Sequence, residues 1–176
     1  MLGTQWSVGD VTVTRIESSN FVLPSATAMP AWSVPAFAPS AEQTPIAFSA
    51  LVEINGAEHL GPLRDARLLH PVEGPFEIDP SVSLVDAPGH NFGHVAVRIE
   101  DGSSLAIYPG HLVLSLLQVD DPDADAGELD VTTAAATRRV VLDELASRDG
   151  VLLTTLVGGP GGGVVQRSGS GYRLVT

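Results

Sequence analysis

The feature that most constrains the fold is a series of short segments in which apolar and polar residues alternate. Residues 11–14 (VTVT) and 94–100 (HVAVRIE) show the pattern most clearly. Alternation with a period of two is typical of strands with one buried face. Further short strands, most of them next to Gly, Pro, Asn or Asp, are predicted at residues 46–54, 68–72, 76–78, 83–86, 105–108, 151–155, 164–166 and 172–175.

Helical spacing is convincing in one segment. Asp130 is a suitable N-cap, Gly150 supplies a stop, and the residues between them carry an apolar stripe that includes Ala134, Leu142 and Leu145. We therefore predict a strand-rich α+β fold with one main C-terminal helix. A chain of 176 residues is the size of one ordinary domain, so we expect a single domain over residues 1–176.

The composition excludes several chemistries. All nine basic residues are arginines and cysteine is absent, so Schiff-base lysines, thiolate nucleophiles and disulfides are ruled out. The net charge of −12 repels phosphates and anionic lipids, so we expect neither nucleic-acid nor membrane binding. No apolar run approaches the roughly 20 residues of a membrane helix, and no secretory leader is visible. These observations predict a cytoplasmic protein.

Two segments lack periodicity. Residues 20–45 contain five of the thirteen prolines, which predicts a long, stiffened loop. Because this loop carries Met29, Trp32 and Phe37, we expect an ordered lid over a site rather than a disordered segment. The acidic stretch 120–130 fails the spacing of an EF-hand calcium loop, and we predict a solvated acidic loop there.

Residues 87–94 read APGHNFGH, after one predicted strand and before another. This segment resembles the APGHTPGH signature of the metallo-β-lactamase-fold hydrolases, especially the branch with lactonases and organophosphate hydrolases. Collinear segments at residues 6–16 (WSVGDVTVTRI) and 76–90 (FEIDPSVSLVDAPGH) resemble the first hairpin of that family and the approach to its signature. Together with the C-terminal helix and hairpin, the resemblance covers nearly the whole chain. It implies a truncated αββα sandwich.

The resemblance has one large gap. Hydrolases of this family carry a His-x-His-x-Asp-His motif that builds the metal site, and this motif occurs nowhere in the chain. The signature position His90 is retained, but the resemblance implies that His111 replaces a bridging aspartate. It further implies that Leu114 and Leu156 stand at family histidine positions, while His94 is a buried structural residue. His59 and His70 are expected on the surface or in loops.

Two histidines without a bridging carboxylate are too few for a catalytic zinc site, which needs three protein ligands. We therefore expect no metal and no cofactor. The predicted pocket has His90 and His111 as its catalytic residues. Its substrate-binding residues are Met29, Trp32, Phe37, Asn91, Leu114 and Leu156. An apolar pocket with a few polar groups suits a largely hydrophobic small molecule.

Three functions remain open. The first is a metal-independent cyclase or isomerase acting on an apolar, polyketide-like natural-product intermediate, for example by [4+2] cycloaddition or conjugate addition. The second is a non-catalytic protein that binds a small molecule. The third is a residual metallohydrolase that uses His90, His111 and a carboxylate such as Asp86. Loss of a strand and helix would leave an exposed sheet surface, so we also expect a homodimer or coverage by the proline-rich loop.

Overall fold

The computed structural model describes residues 5–14, 19–23, 44–48, 65, 74–154, 156–157 and 161–176. The described residues include two α-helices, α1 (Leu117–Asp120) and α2 (Val131–Ser147), and a 3₁₀ turn at Gly110–Leu112. The strands are β1 (Gln5–Val8), β2 (Val11–Thr14), β3 (Ser19–Leu23), β4 (Thr44–Phe48), β5 (Phe76–Asp79), β6 (Val82–Asp86), β7 (Val95–Asp101), β8 (Ser104–Tyr108), β9 (Val151–Leu153), β10 (Gly162–Ser168) and β11 (Gly171–Val175). This confirms the strand-rich α+β prediction with one main C-terminal helix.

Seven of these strands form one sheet in the order β11-β10-β9-β8-β7-β6-β5. Neighbours are antiparallel except β8 and β9, which pair in parallel with Ala106 opposite Val151. A parallel pair needs a long crossover, and α2 lies in the connection between these two strands. The predicted strands at residues 76–78, 83–86, 94–100 and 105–108 are β5 to β8, with bounds shifted by one residue or less.

The two faces of the sheet are covered by different elements. On one face Leu105, Ile107 and Leu152 pack with Leu142 and Leu145 of α2. On the other face Ala106, Ile99 and Leu153 pack with Val8, Trp6 and the valines of the β1–β2 hairpin. The alternation of residues 105–107 between these two clusters is the period-2 pattern of a strand buried on both faces. Helix, sheet and hairpin therefore form three layers.

The prediction of an irregular loop over residues 20–45 is wrong at both ends. Strands β3 and β4 form a separate two-stranded antiparallel sheet, with Phe21 opposite Ile46 and Val22 opposite Pro45. Proline is tolerated in such an edge strand because only one side of it is hydrogen-bonded. The predicted strand at residues 46–54 therefore begins at Thr44. Residues 24–43 and the predicted strand at 68–72 lie outside the described residues.

Strand β5 is one of the two edge strands of the seven-stranded sheet, and Phe76 (44%) and Ile78 (56%) are exposed there. The homodimer that we expect from an exposed sheet surface stays a prediction. Among the described residues, no helix combines the length and the apolar character needed to cross a membrane. The cytoplasmic location likewise stays a prediction.

Candidate functional site

The candidate site lies at the sheet edge where β6, β8 and β9 end. Because β6 and β8 are both antiparallel to β7, and β9 is parallel to β8, the carboxyl ends of these three strands share one edge. The chain places the signature loop 87–94 after β6 and the turn bearing His111 after β8. The sequence motifs that carried the family resemblance therefore meet in space.

Glycines and helix α2 determine the shape of the signature loop. The backbone N–H of Ala87 donates to the carbonyl of His94 (3.0 Å), which closes the loop. Gly89 has a φ of +118°, and a Cβ built on it would lie 2.2 Å from the backbone nitrogen of Ala134 in α2. The backbone N–H groups of Asp130 and Leu129 donate to the carbonyls of Gly89 (2.9 Å) and His90 (3.0 Å). Only glycine fits position 89 at this close contact.

Three imidazoles cluster at the site. The ring centroid of His90 lies 5.4 Å from that of His94 and 5.3 Å from that of His111, with interplanar angles of 67° and 79°. Nδ1 of His94 lies 2.9 Å from the carbonyl oxygen of Ala87. Because a carbonyl only accepts, Nδ1 of His94 carries the proton and donates it. This contact ties His94 to the start of the signature loop; the ring is half-buried, whereas a buried structural residue was expected.

Burial lowers the pKa of all three imidazoles. The pKa of His90 falls to about 4, because of desolvation first and the neighbouring His111 and His94 next. Burial also lowers the pKa of His111 and of His94, although for His94 the hydrogen bond to Ala87 opposes the shift. At neutral pH the rings are uncharged, and each carries one nitrogen that donates and one that accepts.

The described residues do not fit the metal site of the family. No group of three or more His, Asp or Glu side chains within the described ranges is placed to hold a metal ion. Glu128, whose charge acts on His90, is bonded to Arg138 and is not free to bind a metal ion. Nδ1 of His90 is buried without a hydrogen-bond partner. That unpaired atom is one ligand at most, whereas catalytic zinc needs three.

The other predicted site residues differ in exposure, and several of them lie outside the described residues. Asn91 is exposed, and Leu114 and Leu156 are half-buried. Asp86, the carboxylate considered for a residual metal site, is exposed at the end of β6. The predicted lid residues Met29, Trp32 and Phe37, and also His59 and His70, lie outside the described residues. The structure therefore places His90 and His111 side by side and leaves the predicted lid untested.

Exposed apolar side chains occur close in sequence to the histidines. Phe92 of the signature loop is 91% exposed, Leu129, whose backbone N–H bonds to His90, is 59% exposed, and Leu116 near His111 is 55% exposed. They give exposed apolar surface to the segments that carry the histidines. Their presence is consistent with the apolar character predicted for this site.

Sequence reasoning missed a buried polar network next to the histidines. Arg138 and Glu128 form an ion pair in which both side chains are fully buried. Gln118 donates to Glu128 (2.7 Å) and accepts from the backbone of Leu114 (2.8 Å). A signal was available, because Arg138 stands four residues from both Ala134 and Leu142 and thus on the apolar face of α2.

The acidic stretch is built as a series of turns. Its side chains Asp120, Asp121, Asp123 and Asp125 are all exposed. Asp121 accepts from the backbone of Asp123 (3.1 Å), Asp125 accepts from that of Gly127 (2.8 Å), and Asp123 pairs with Arg139. These contacts use the carboxylates to hold turns, as short acidic side chains commonly do. The stretch is a solvated loop, but its member Glu128 is buried.

No protein-family model matches the sequence, and no curated protein matches it either. Solved structures are more informative. AidC, a dizinc quorum-quenching lactonase, superposes with a TM-score of 0.54 at 22% identity, covering 68% of this chain and 45% of its own. The hydrolase AbOPH of the beta-lactamase superfamily gives a TM-score of 0.55 at 18% identity, covering 66% of this chain and 40% of its own.

A probable metal-dependent hydrolase from Staphylococcus aureus gives a TM-score of 0.52 at 17% identity, covering 62% of this chain and 41% of its own. This chain thus spans less than half the length of each of the three structures. At such identities the likeness concerns the fold. Together with the signature loop and the sheet order, it shows that the described part of the chain has a metallo-β-lactamase-like fold.

Proposed function

We propose that this chain is a metal-independent cyclase or isomerase that acts on an apolar small molecule at His90 and His111. The observation that carries the proposal is the contact between these two imidazoles, which burial keeps neutral, at the sheet edge where the signature loop lies. The chain has no lysine or cysteine for covalent catalysis. The two neutral imidazoles offer proton transfer and hydrogen bonding without a covalent intermediate.

Cyclisation and isomerisation suit such a site because neither needs a co-reactant. In a conjugate addition, one neutral imidazole accepts the proton of the attacking group while the other donates a hydrogen bond to the acceptor carbonyl. The proton then returns to the α-carbon, so atoms and charge balance within the substrate. Holding a flexible chain in the reactive conformer contributes up to about 7–11 kcal/mol in well-oriented cases.

The proposed substrate is apolar, bears a carbonyl and is polyketide-like. The exposed Phe92, Leu116 and Leu129 support the apolar part, and the neutral imidazoles support a carbonyl or hydroxyl over a charged group. The net charge of −12 disfavours an anionic ligand. The polyketide class itself rests on analogy with other proteins of this fold.

A comparative metabolite profile of the source organism with and without the gene tests the proposal. We expect an acyclic or unrearranged precursor to accumulate, and purified protein to accelerate its conversion. His90→Ala and His111→Ala should each abolish the acceleration, while Val140→Ala, at an exposed position of α2, should keep it. Binding of the precursor without a change in rate, in wild type and variants alike, would instead indicate a non-catalytic binding protein.

Metal content distinguishes the remaining alternative, a residual metallohydrolase, from the proposed metal-independent enzyme. Protein purified without a polyhistidine tag should contain zinc and iron far below one ion per chain, and chelator treatment should leave turnover unchanged. Near-stoichiometric metal that is lost together with hydrolytic activity would favour a residual metallohydrolase. The dizinc lactonase among the structural neighbours makes this comparison necessary.

A further inference from the structure

The buried pair Arg138–Glu128 is the strongest feature of the molecule that the proposed function does not use. Both side chains have 0% exposure. Removing two charges from water is unfavourable, and a buried ion pair often stabilises a fold no better than apolar side chains of the same size. The contacts of this pair point to a role in holding other groups in place.

Arg138 connects the turn that carries His111 to the acidic stretch. Its guanidinium donates to the carbonyl of Leu112 (3.0 Å), and also to those of Pro122 (2.9 Å) and Ala124 (3.0 Å). Leu112 belongs to the same single 3₁₀ turn as His111. A change at Arg138 therefore acts directly on the backbone beside His111.

Glu128 connects to His90 in a similar way. One carboxylate oxygen accepts from Arg138 and Gln118, and the other accepts from the backbone of Ala126 (2.7 Å). The next residue, Leu129, donates its N–H to the carbonyl of His90 (3.0 Å). The ion pair thus closes a chain of contacts that runs from the His111 turn to the His90 backbone.

We infer that Arg138 and Glu128 are positioning residues that hold the rings of His90 and His111 in contact. The inference deepens the proposed function and rests on it for its catalytic meaning. The geometric part of the inference concerns only the distance between the two rings, whose centroids lie 5.3 Å apart. Neither residue of the pair is proposed to touch the substrate.

The test is NMR of the imidazole rings in the full chain. Rings in this edge-to-face contact should give a nuclear Overhauser effect between His90 and His111 in wild type. The charge-free double variant Arg138→Met/Glu128→Leu should fold, because matched apolar groups replace buried pairs well. We expect it to lose the effect between the rings and to shift their nitrogen resonances. Arg139→Met, at the adjacent exposed position, should leave both unchanged.

Arg138→Lys provides a second variant if the double variant does not fold. Lysine keeps the charge opposite Glu128 but lacks the planar fork that reaches three carbonyls together. We expect the same loss of the ring contact in the folded protein. If either variant folds with the ring contact and resonances of wild type, the pair has a structural role only and the inference is wrong.

The readout needs no substrate, so it separates this inference from the proposed function. If the ring contact is lost as expected while His90→Ala leaves metabolism unchanged, the proposed function fails and the positioning role of the pair stands. If turnover requires both histidines but the charge-free variant keeps the ring contact and full turnover, the proposed function stands and the inference fails.

Discussion

Acid should destabilise this protein through His90 well above the pH at which carboxylates titrate. In the folded protein the pKa of His90 is about 4, whereas the unfolded value is 6.5. Between these values the unfolded chain binds more protons than the folded chain, so the free energy of unfolding falls as the pH falls. The stability contributed by neutral His90 is present above pH 6.5 and is lost on the way down to about pH 4.

The magnitude follows from the two pKa values. Linkage gives a loss of about 2 kcal/mol between pH 7 and pH 5 for a group with this shift. His90 is only half-buried, so we reduce the expected loss to about 1 kcal/mol to allow for solvent screening. The pKa values of His94 and His111 are lowered too, and their contributions have the same sign.

Urea unfolding at pH 7, 6 and 5 measures the effect. His90→Asn removes the titrating ring, so its stability should depend less on pH across this range than that of wild type. Asn91→Ala, at the exposed neighbour, should keep the wild-type dependence. The window stays above the usual pKa of Asp and Glu, which keeps carboxylate titration small. Equal pH dependence in wild type and His90→Asn would refute the claim that burial keeps His90 neutral.

Three further substitutions, one of them with a matched glycine control, test the packing of the structure. Gly89→Ala should cost at least about 3 kcal/mol in urea unfolding, because the new Cβ meets the backbone of Ala134 at 2.2 Å and φ is +118°. Gly93→Ala, with a φ of +66° and open space around it, should cost only about 1 kcal/mol, and equal losses would argue against the clash. Arg138→Met alone should cost about 3–5 kcal/mol because Glu128 stays buried without its partner; a smaller loss would mean that water reaches the carboxylate. Tyr172→Phe should cost about 1–2 kcal/mol through its lost hydrogen bond to Asp143 while leaving the histidine resonances in place, and a change in those resonances would show longer-range coupling.

Periodicity was sufficient to predict most of the strands and the main helix, but not the order of the strands in the sheet. The alternating segments became β2 and β7, and the stripe from Ala134 to Leu145 became the buried face of α2. These elements could be predicted because each buries one side against the core, which gives its sequence a periodic apolar pattern. Strand β3 was missed and β4 was predicted to start two residues late because prolines interrupt the pattern, and the pairing of Val22 with Pro45 depends on a partner distant in sequence.

The histidine contact was predictable only through the family resemblance. Nothing in the spacing of His90 and His111 requires that their rings meet, since the contact depends on β6 and β8 ending at one sheet edge. The burial of Arg138 and Glu128 was even harder to predict from the sequence. Either residue alone is typical of a solvated surface, and only packing decides that each neutralises the other. An arginine on an apolar helical face was the one local sign.

Restoring a carboxylate at position 111 tests whether this single substitution is enough to create a metal site. His111 stands where the family resemblance places a bridging aspartate, so His111→Asp returns that ligand beside His90. Two ligands remain too few, because catalytic zinc needs three from the protein and the described residues supply no other group. We therefore expect calorimetry to show no tighter zinc binding in His111→Asp than in wild type. Stoichiometric, tight binding would mean that residues beyond the described ranges complete the ligand set, and metal-independent chemistry would then no longer follow.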